Sequence, residues 1–410
     1  MAEVRKQVNK SEQITLEGSI VEDYDQPLQK REEILNAYKK FLGINCSVEK
    51  YGNNFVYTYT HDGIKEYFLT SSITYLSKPH PIFKKRTQLK SWYKDFYNEY
   101  KVKSNTRVRL IGVYHYENLI VFAEFKAEDY LGRKCNNSAA HIFSNDIYQA
   151  VVDGLFERVD KNNNHLTVIC GDNFKNYLGG HVKGNCLLEF FKKFNKIFPF
   201  GKWITAETAI SEMKNANWSK WKETEWPGWY LEFLFNKFIT SEKISWINYR
   251  GTQPSSCDFD FDVHFLSPTD FYGDLKASDI DKKEAPGNDQ ENVLSAISAH
   301  GKLWYIIYEH ETIKDISRNS EMAIKRMELM DSPYVEGGHI SYQTRMKHSV
   351  RFKKMTILEL NKINMNEVLK EFRQGHQPSG DARKPKFLIS KQNIENCTVL
   401  TYSCDEEGNV

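Results

Sequence analysis

The sequence predicts an α/β protein of the mixed-sheet, α+β kind, and three observations lead there. Aromatic residues make up 14% of the chain, a level that suits many strands and well-filled cores. Two long stretches in the first third alternate about short turns, as hairpins do. After residue 226 the pattern reads helix, three strands, helix, strand, which is the order of an α/β core.

The opening residues are a charged leader, followed by a helix in "QKREEILNAYKKFLG" that Gly43 ends. Residues 53–76, "NNFVYTYTHDGIKEYFLTSSITYL", alternate around Asp62-Gly63 and predict a hairpin. Residues 106–126, "TRVRLIGVYHYENLIVFAEFK", predict a second one around Glu117-Asn118. Two amphipathic helices follow at 185–198 and 206–221, and Pro227, tolerated in a first helical turn, opens "PGWYLEFLFNKFIT". Then the period changes, through "SWINYRG", "SSCDFDFDVHFL" and "DFYGDLKAS", to the helical "NDQENVLSAISAHG" and the apolar strand "KLWYIIYEH". From about 375, "GHQPSGDARKPK" reads as a linker or arm, with a short terminal strand or two after it. The expected organisation is an N-terminal strand-rich domain over 1–200, a core over 201–375 and a C-terminal arm over 376–410.

Composition narrows the classes. At 410 residues the chain has room for two or three domains and at least one full core. No apolar run approaches the roughly eighteen residues that cross a bilayer, and "MAEVRKQVNKSEQ" lacks the apolar core of a signal peptide, so the expected address is cytoplasmic with no membrane partner. Seven cysteines, an odd number without a CxxC pair, fit reduced thiols and argue against a zinc ribbon or disulfide scaffold. A net charge of +2 neither demands nor excludes nucleic acid. Basic residues gather at 83–94, "FKKRTQLKSWYK", and at 345–354, "RMKHSVRFKK", where they could approach phosphates or simply be solvated. No GxxxxGK[ST] loop, GxSxG elbow or HExxH helix is present in the sequence.

The chemistry-bearing pattern lies in the core. "SSCDFDFDVHFL" places Cys257, Phe259, Phe261, Val263 and Phe265 on one face and Asp258, Asp260, Asp262 and His264 on the other. Those acids repel one another unless something positive is near, although a surface strand could carry them in water. The turn chemistry of "SPTD" predicts an antiparallel pairing with the next strand, which sets Asp274 near Asp262 and Lys276 near Asp260 and Asp262. Cross-strand neighbours about 5 Å apart suit two carboxylates chelating a hard cation such as Mg²⁺, which keeps several waters. Such an ion polarises a phosphodiester and lowers the pKa of a bound water, while a lysine nearby orients that water. Glu232, with three apolar residues on either side in a helix that must pack on the sheet, either reaches the surface or looks into a charged site. "VFAEFKAED" holds a second acid-x-lysine, Glu124 and Lys126, but its partner strand carries arginines and no carboxylate, so it reads as a surface pair. His115, His141, His181 and His264 are isolated, and "YLGGH" at 177–181 reads as a helix stop.

A helix with an inward glutamate, strands carrying D…(D/E)xK, then a helix and an apolar strand resemble the PD-(D/E)XK nuclease core of many type II restriction endonucleases, over roughly residues 226–310. Carried over residue by residue, the resemblance implies Asp262 or Asp260 as the metal-binding acid, Asp274 as the second acid, Lys276 as the lysine and Glu232 as the helical glutamate. The proline of the family's name precedes none of Asp258, Asp260 and Asp262, and the second acid is Asp where Glu is more frequent. The resemblance implies a restriction-endonuclease-like fold and a Mg²⁺-dependent, site-specific cut in double-stranded DNA, with the N-terminal half supplying recognition or dimer contact. It further implies a homodimer and a cognate DNA methyltransferase as functional partner. A repair or structure-specific nuclease on the same core, and a non-catalytic DNA- or protein-binding module, are the alternatives.

Overall fold

The computed structural model describes residues 9–131, 139–181, 185–251, 261–314, 328, 347–373 and 383–404. The chain forms a mixed α+β structure that divides into two compact units, Met1–Cys186 and Leu187–Val410.

The first unit opens with the pair β1 (Ser11–Ile14) and β2 (Ile20–Asp23), then α1 (Arg31–Leu42), which buries Ile34, Ala37, Tyr38 and Leu42 at helical spacing. Its start is secured by Glu33, whose carboxylate accepts the Gln29 and Lys30 N–H groups at 2.9 and 3.0 Å. Gly43 ends it at φ +84°, in the left-handed region where a side chain is costly. After β3 (Cys46–Tyr51), the strands β4 (Asn54–His61) and β5 (Ile64–Tyr75) form the first hairpin. Asp62 and Gly63 both have positive φ, which matches the twist of the flanking strands. Past β6 (Lys84–Gln88) and α2 (Tyr93–Tyr100), the second hairpin is β7 (Thr106–Tyr116) and β8 (Leu119–Phe125), turned at Glu117 with φ +50°. The two hairpins lie side by side because β5 and β7 pair in parallel. The unit closes with α3 (Ala127–Leu131), β9 (Ala139–Phe143), α4 (Ser144–Asp153), β10 (Leu155–Val159), β11 (His165–Cys170) and α5 (Phe174–Leu178). Its main strand order is β3–β4–β5–β7–β8–β11–β10. Tyr38 of α1 stacks on Phe68 and Phe122 at 4.8 and 5.2 Å, tying the helix to the sheet centre.

The second unit begins with α6 (Cys186–Ile197), β12 (Trp203–Thr205), α7 (Ala206–Asn215) and α8 (Trp226–Ser241), the last with Pro227 in its first turn. Then come β13 (Ile247–Tyr249), β14 (Val263–Phe265), β15 (Phe271–Asp279), β16 (Glu284–Asp289), α9 (Gln290–His300), β17 (Lys302–Lys314) and β18 (Lys347–Asn361). A short helix α10 (Met365–Val368) and β19 (Leu369–Phe372), β20 (Lys386–Ser390) and β21 (Thr398–Ser403) complete it. Two segments of the expected C-terminal arm therefore join sheets, β20 beside β16 and β19, and β21 beside β18.

The sheet order β13–β14–β15–β17–β18–β21 is mixed: β15 and β17 pair in parallel, with α9 as the crossover, and the rest pair antiparallel. β17 is buried from Leu303 to His310, as its continuous apolar pattern requires of a strand covered on both faces. On one face Phe191 and Phe194 of α6 pack against Trp304 and Tyr308, and on the other Val293, Ala296 and Ile297 of α9 pack with Leu303, Tyr305 and Ile307.

Candidate active site

β15 carries the acid and the lysine on one face, two residues apart, with Leu275 turned the other way. Asp274 is 1% exposed, and the Lys276 ammonium forms an ion pair with its carboxylate. β14 runs antiparallel to this strand, with Val263 opposite Gly273 and Phe265 opposite Phe271. Continued by one residue, that register sets Asp262 directly across from Asp274. Two hydrogen bonds fix the arrangement: the Asp262 N–H donates to Asp274 Oδ1 at 3.3 Å, and the Leu275 N–H donates to Asp262 Oδ2 at 3.2 Å.

The strict alternation expected of residues 257–265 does not hold through Asp262. Phe261 packs on Tyr272 at 6.0 Å, whereas Phe265 packs on Phe271 and Trp304 at 4.8 and 5.5 Å. Tyr272 and Phe271 are successive residues of one strand and point to opposite faces, so the chain bends between Phe261 and Val263. The Arg250 N–H, donating to the Asp262 carbonyl at 2.6 Å, holds that bend. Asp258 and Asp260 lie outside the described residues.

Glu232 comes from α8, which packs against β15. It is 7% exposed and accepts a short hydrogen bond from the Tyr249 hydroxyl at the end of β13. Glu232, Asp262, Asp274 and Lys276 are therefore brought together. His264 is not among them: from β14 it bonds Asp270 at 2.5 Å and stacks on Tyr272, its cross-strand neighbour on β15.

The electrostatics follow from desolvation and crowding. Burial pushes the Glu232 carboxyl up to about 7, with the Tyr249 hydrogen bond working against the rise. Desolvation, then the Asp274 and Glu232 carboxylates, raise Asp262 well above the usual carboxylate range. Burial works against the Lys276 ammonium, but the Asp274 and Asp262 carboxylates outweigh it and hold the amine protonated. Burial and then the Glu232 carboxylate raise the Tyr249 hydroxyl, which keeps it a donor.

A divalent cation fits this donor set. Asp262 and Asp274 are opposed across a strand pair, and a cation between them would offset both the desolvation and the carboxylate crowding that lift Asp262. Among the described residues no three His, Cys, Asp or Glu side chains gather closely enough to hold an ion together. Two carboxylates suffice for Mg²⁺, which keeps much of its water shell.

Three contributors carry no sequence signal of their own. Tyr249 reaches the site only because β13 pairs with β14. Gly251 follows it, and a Cβ there would run into the Tyr249 hydroxyl and stand 3.1 Å from Glu232 Oε2. Tyr305 lies beside Asp274 in the parallel register and donates its hydroxyl to Asn288 Oδ1 at 3.1 Å.

The other acid-x-lysine is corrected in one respect. Glu124 is not paired with Lys126 at the surface; it is partly buried and accepts from Arg109 and from the Tyr177 hydroxyl, each at 2.8 Å, while Lys126 is exposed. The reason is Arg109 on the neighbouring β7, whose fork also takes the fully buried Glu66. The basic runs are likewise partly neutralised. Lys85 is buried against Asp25 at 3.0 Å, and Lys347, Arg351 and Lys354 pair with Glu225, Glu311 and Glu309.

Residues 64–178 match the model of a family described as methylase-associated X1. The matched segment lies in the first unit and does not include the carboxylate site of the second. The family's description ties it to methylases, a setting consistent with a restriction-modification system. No curated protein and no solved structure matches the chain.

Proposed function

We propose that this chain is a Mg²⁺-dependent type II restriction endonuclease that hydrolyses phosphodiester bonds of double-stranded DNA at a specific sequence. The observation that carries the reading is the strand register that opposes Asp262 and Asp274 with Lys276 paired to the latter. The methylase association of residues 64–178 supports the restriction-modification setting and a methyltransferase as functional partner.

On this reading Asp262 and Asp274 hold the ion, with Asp260, outside the described residues, as a further donor. When bound, Mg²⁺ withdraws charge from the phosphoryl oxygen and makes a water nucleophilic near neutral pH. Lys276, kept protonated by its carboxylate neighbours, is a donor and a cation: it orients the attacking water and stabilises charge that develops on the phosphorus oxygens. Glu232, held by Tyr249, completes the acidic wall. A cut in both strands at a symmetric site needs two such centres, so the working assembly is a homodimer.

The test is incubation of the purified protein with unmethylated phage DNA in Mg²⁺ and in EDTA, read on a gel. Discrete fragments that require Mg²⁺ support the reading. A smear points to a repair or non-specific nuclease, and intact DNA across several substrates and metals points to a binding module.

A further inference from the structure

The second unit has a basic and aromatic surface next to its carboxylates. The loop between α7 and α8 is anchored by Trp218, which is 7% exposed and packs on Phe233 of α8 at 5.7 Å and on Tyr249 at 5.5 Å. Both neighbours belong to elements that build the acidic site, so the loop is fixed beside it. Outward from this anchor, Lys220 lies over the partly exposed Trp229 indole at 5.1 Å, and Lys214 and Lys222 lie over Trp221 at 5.1 and 5.3 Å. Lys220 has no ion-pair partner among the described residues, and its ammonium acts electrostatically on Glu232. Of the acids on the same loop, Glu225 is taken by Lys347.

A phosphodiester approaching Glu232, Asp262 and Asp274 meets a site lined by three carboxyl groups whose nearest cation, Lys276, is already paired with Asp274, so attraction for the backbone has to come from cations on the approach. Ammonium groups held over indole faces are already oriented, so they lose little freedom when they take a phosphate. We propose that Lys214, Lys220 and Lys222, set on Trp221 and Trp229, form the track that holds the sugar–phosphate backbone of the DNA strand entering this site. The inference rests on the endonuclease reading for its partner and extends it to a surface outside the carboxylate centre.

The experiment measures fluorescence anisotropy of a labelled duplex in EDTA, over a series of salt concentrations. It compares the wild type, Lys220→Gln/Lys222→Gln, the charge-preserving Lys220→Arg/Lys222→Arg, and a control with the same charge change in the first unit, Lys39→Gln/Lys40→Gln. Circular dichroism melting checks that each is folded. The glutamine pair is expected to weaken binding about tenfold and to reduce the slope of log K against log salt by about 2, near 0.9 for each phosphate that the protein no longer neutralises. The arginine pair restores both, and the control binds as the wild type does. Equal losses in the control and the glutamine pair, or no loss in either, overturn the track. A wild type that cleaves while the glutamine pair binds normally overturns the track alone. A wild type that binds DNA but never cleaves it, with the glutamine pair weakened, overturns the endonuclease reading and leaves the track; no binding to any DNA overturns both.

Discussion

Asp262 and Asp274 face each other across β14 and β15 through reciprocal hydrogen bonds, each carboxylate accepting a backbone N–H from the opposite chain segment. The arrangement uses main-chain donors to hold the two carboxyl groups together: desolvation and the Asp274 carboxylate push Asp262 toward its neutral form, and the Lys276 ammonium is the positive group that Asp274 pairs with.

The first prediction concerns that cluster. Asp274→Asn or Lys276→Ala reduces cleavage by at least about 10²-fold, the scale seen when a preorganised charge-stabilising group is removed. Affinity for the duplex in EDTA changes by less than threefold, on the order of half a kcal/mol. Single-turnover cleavage and anisotropy on the same preparations separate the two, and wild-type rates in either variant would sink the assignment.

The second prediction needs no turnover. Mg²⁺ at about 100 times its dissociation constant stabilises the protein by about 2.7 kcal/mol. EDTA reverses the shift, and Asp262→Ala removes it. Thermal melts with and without metal check this, and a Mg²⁺ shift of full size in Asp262→Ala would move the ion elsewhere.

Much of this architecture is legible in the amino-acid order. Asp62-Gly63 and Glu117 supply the positive φ that a tight hairpin needs, and the spacing about "SPTD" sets Asp274 across from Asp262. What sequence does not encode locally is which strands become neighbours. The parallel pairing of β5 with β7 and the return of β13 to the edge of β14 depend on packing between distant segments, so nothing local to Tyr249 and Gly251 marks their place at the site. The bend at Asp262 is hidden for a related reason. An alternating "DFDFD" looks like an uninterrupted strand, and the bend shows only in contacts with distant residues: Phe261 on Tyr272, the Asp262 N–H on Asp274 and the Arg250 N–H on the Asp262 carbonyl.

The third prediction uses that glycine. Gly251→Ala introduces a methyl group that displaces the Tyr249 ring tip and crowds Glu232 Oε2. The hydrogen bond between Tyr249 and Glu232 is lost, while the fold, whose core the substitution does not touch, melts within a few degrees of wild type. The lost hydrogen bond costs about 1–3 kcal/mol of stability; with Glu232 no longer held in the site, cleavage is expected to fall by roughly tenfold or more, as misplacement of a site group does. Tyr249→Phe, which removes the hydroxyl and adds no methyl group, should show the same deficit. Full activity in both variants would remove Tyr249 from the site.

The last prediction lies in the first unit and concerns stability. Lys85 is fully buried, and its ammonium reaches Ser11 and Asp25 at 3.0 Å and Gln13 at 3.3 Å, joining β1 and the segment after β2 to β6. Burial would raise the Asp25 carboxyl, but Lys85 and the Tyr75 N–H more than offset it, so Asp25 sits below its ordinary value. A carboxylate depressed in the folded state contributes stability above the unfolded pKa of about 3.9 and loses it as pH falls through the folded value. Lys85→Met removes the cation and leaves Asp25 largely buried without it, at a cost of about 3 kcal/mol at pH 7. Near pH 3 Asp25 gives up its charge more readily in the variant than in the wild type, and the difference between the two narrows. Urea unfolding at pH 7 and pH 3 reads this directly: a loss of the same size at both pH values would mean that Lys85 acts through packing alone, with no contribution from its charge.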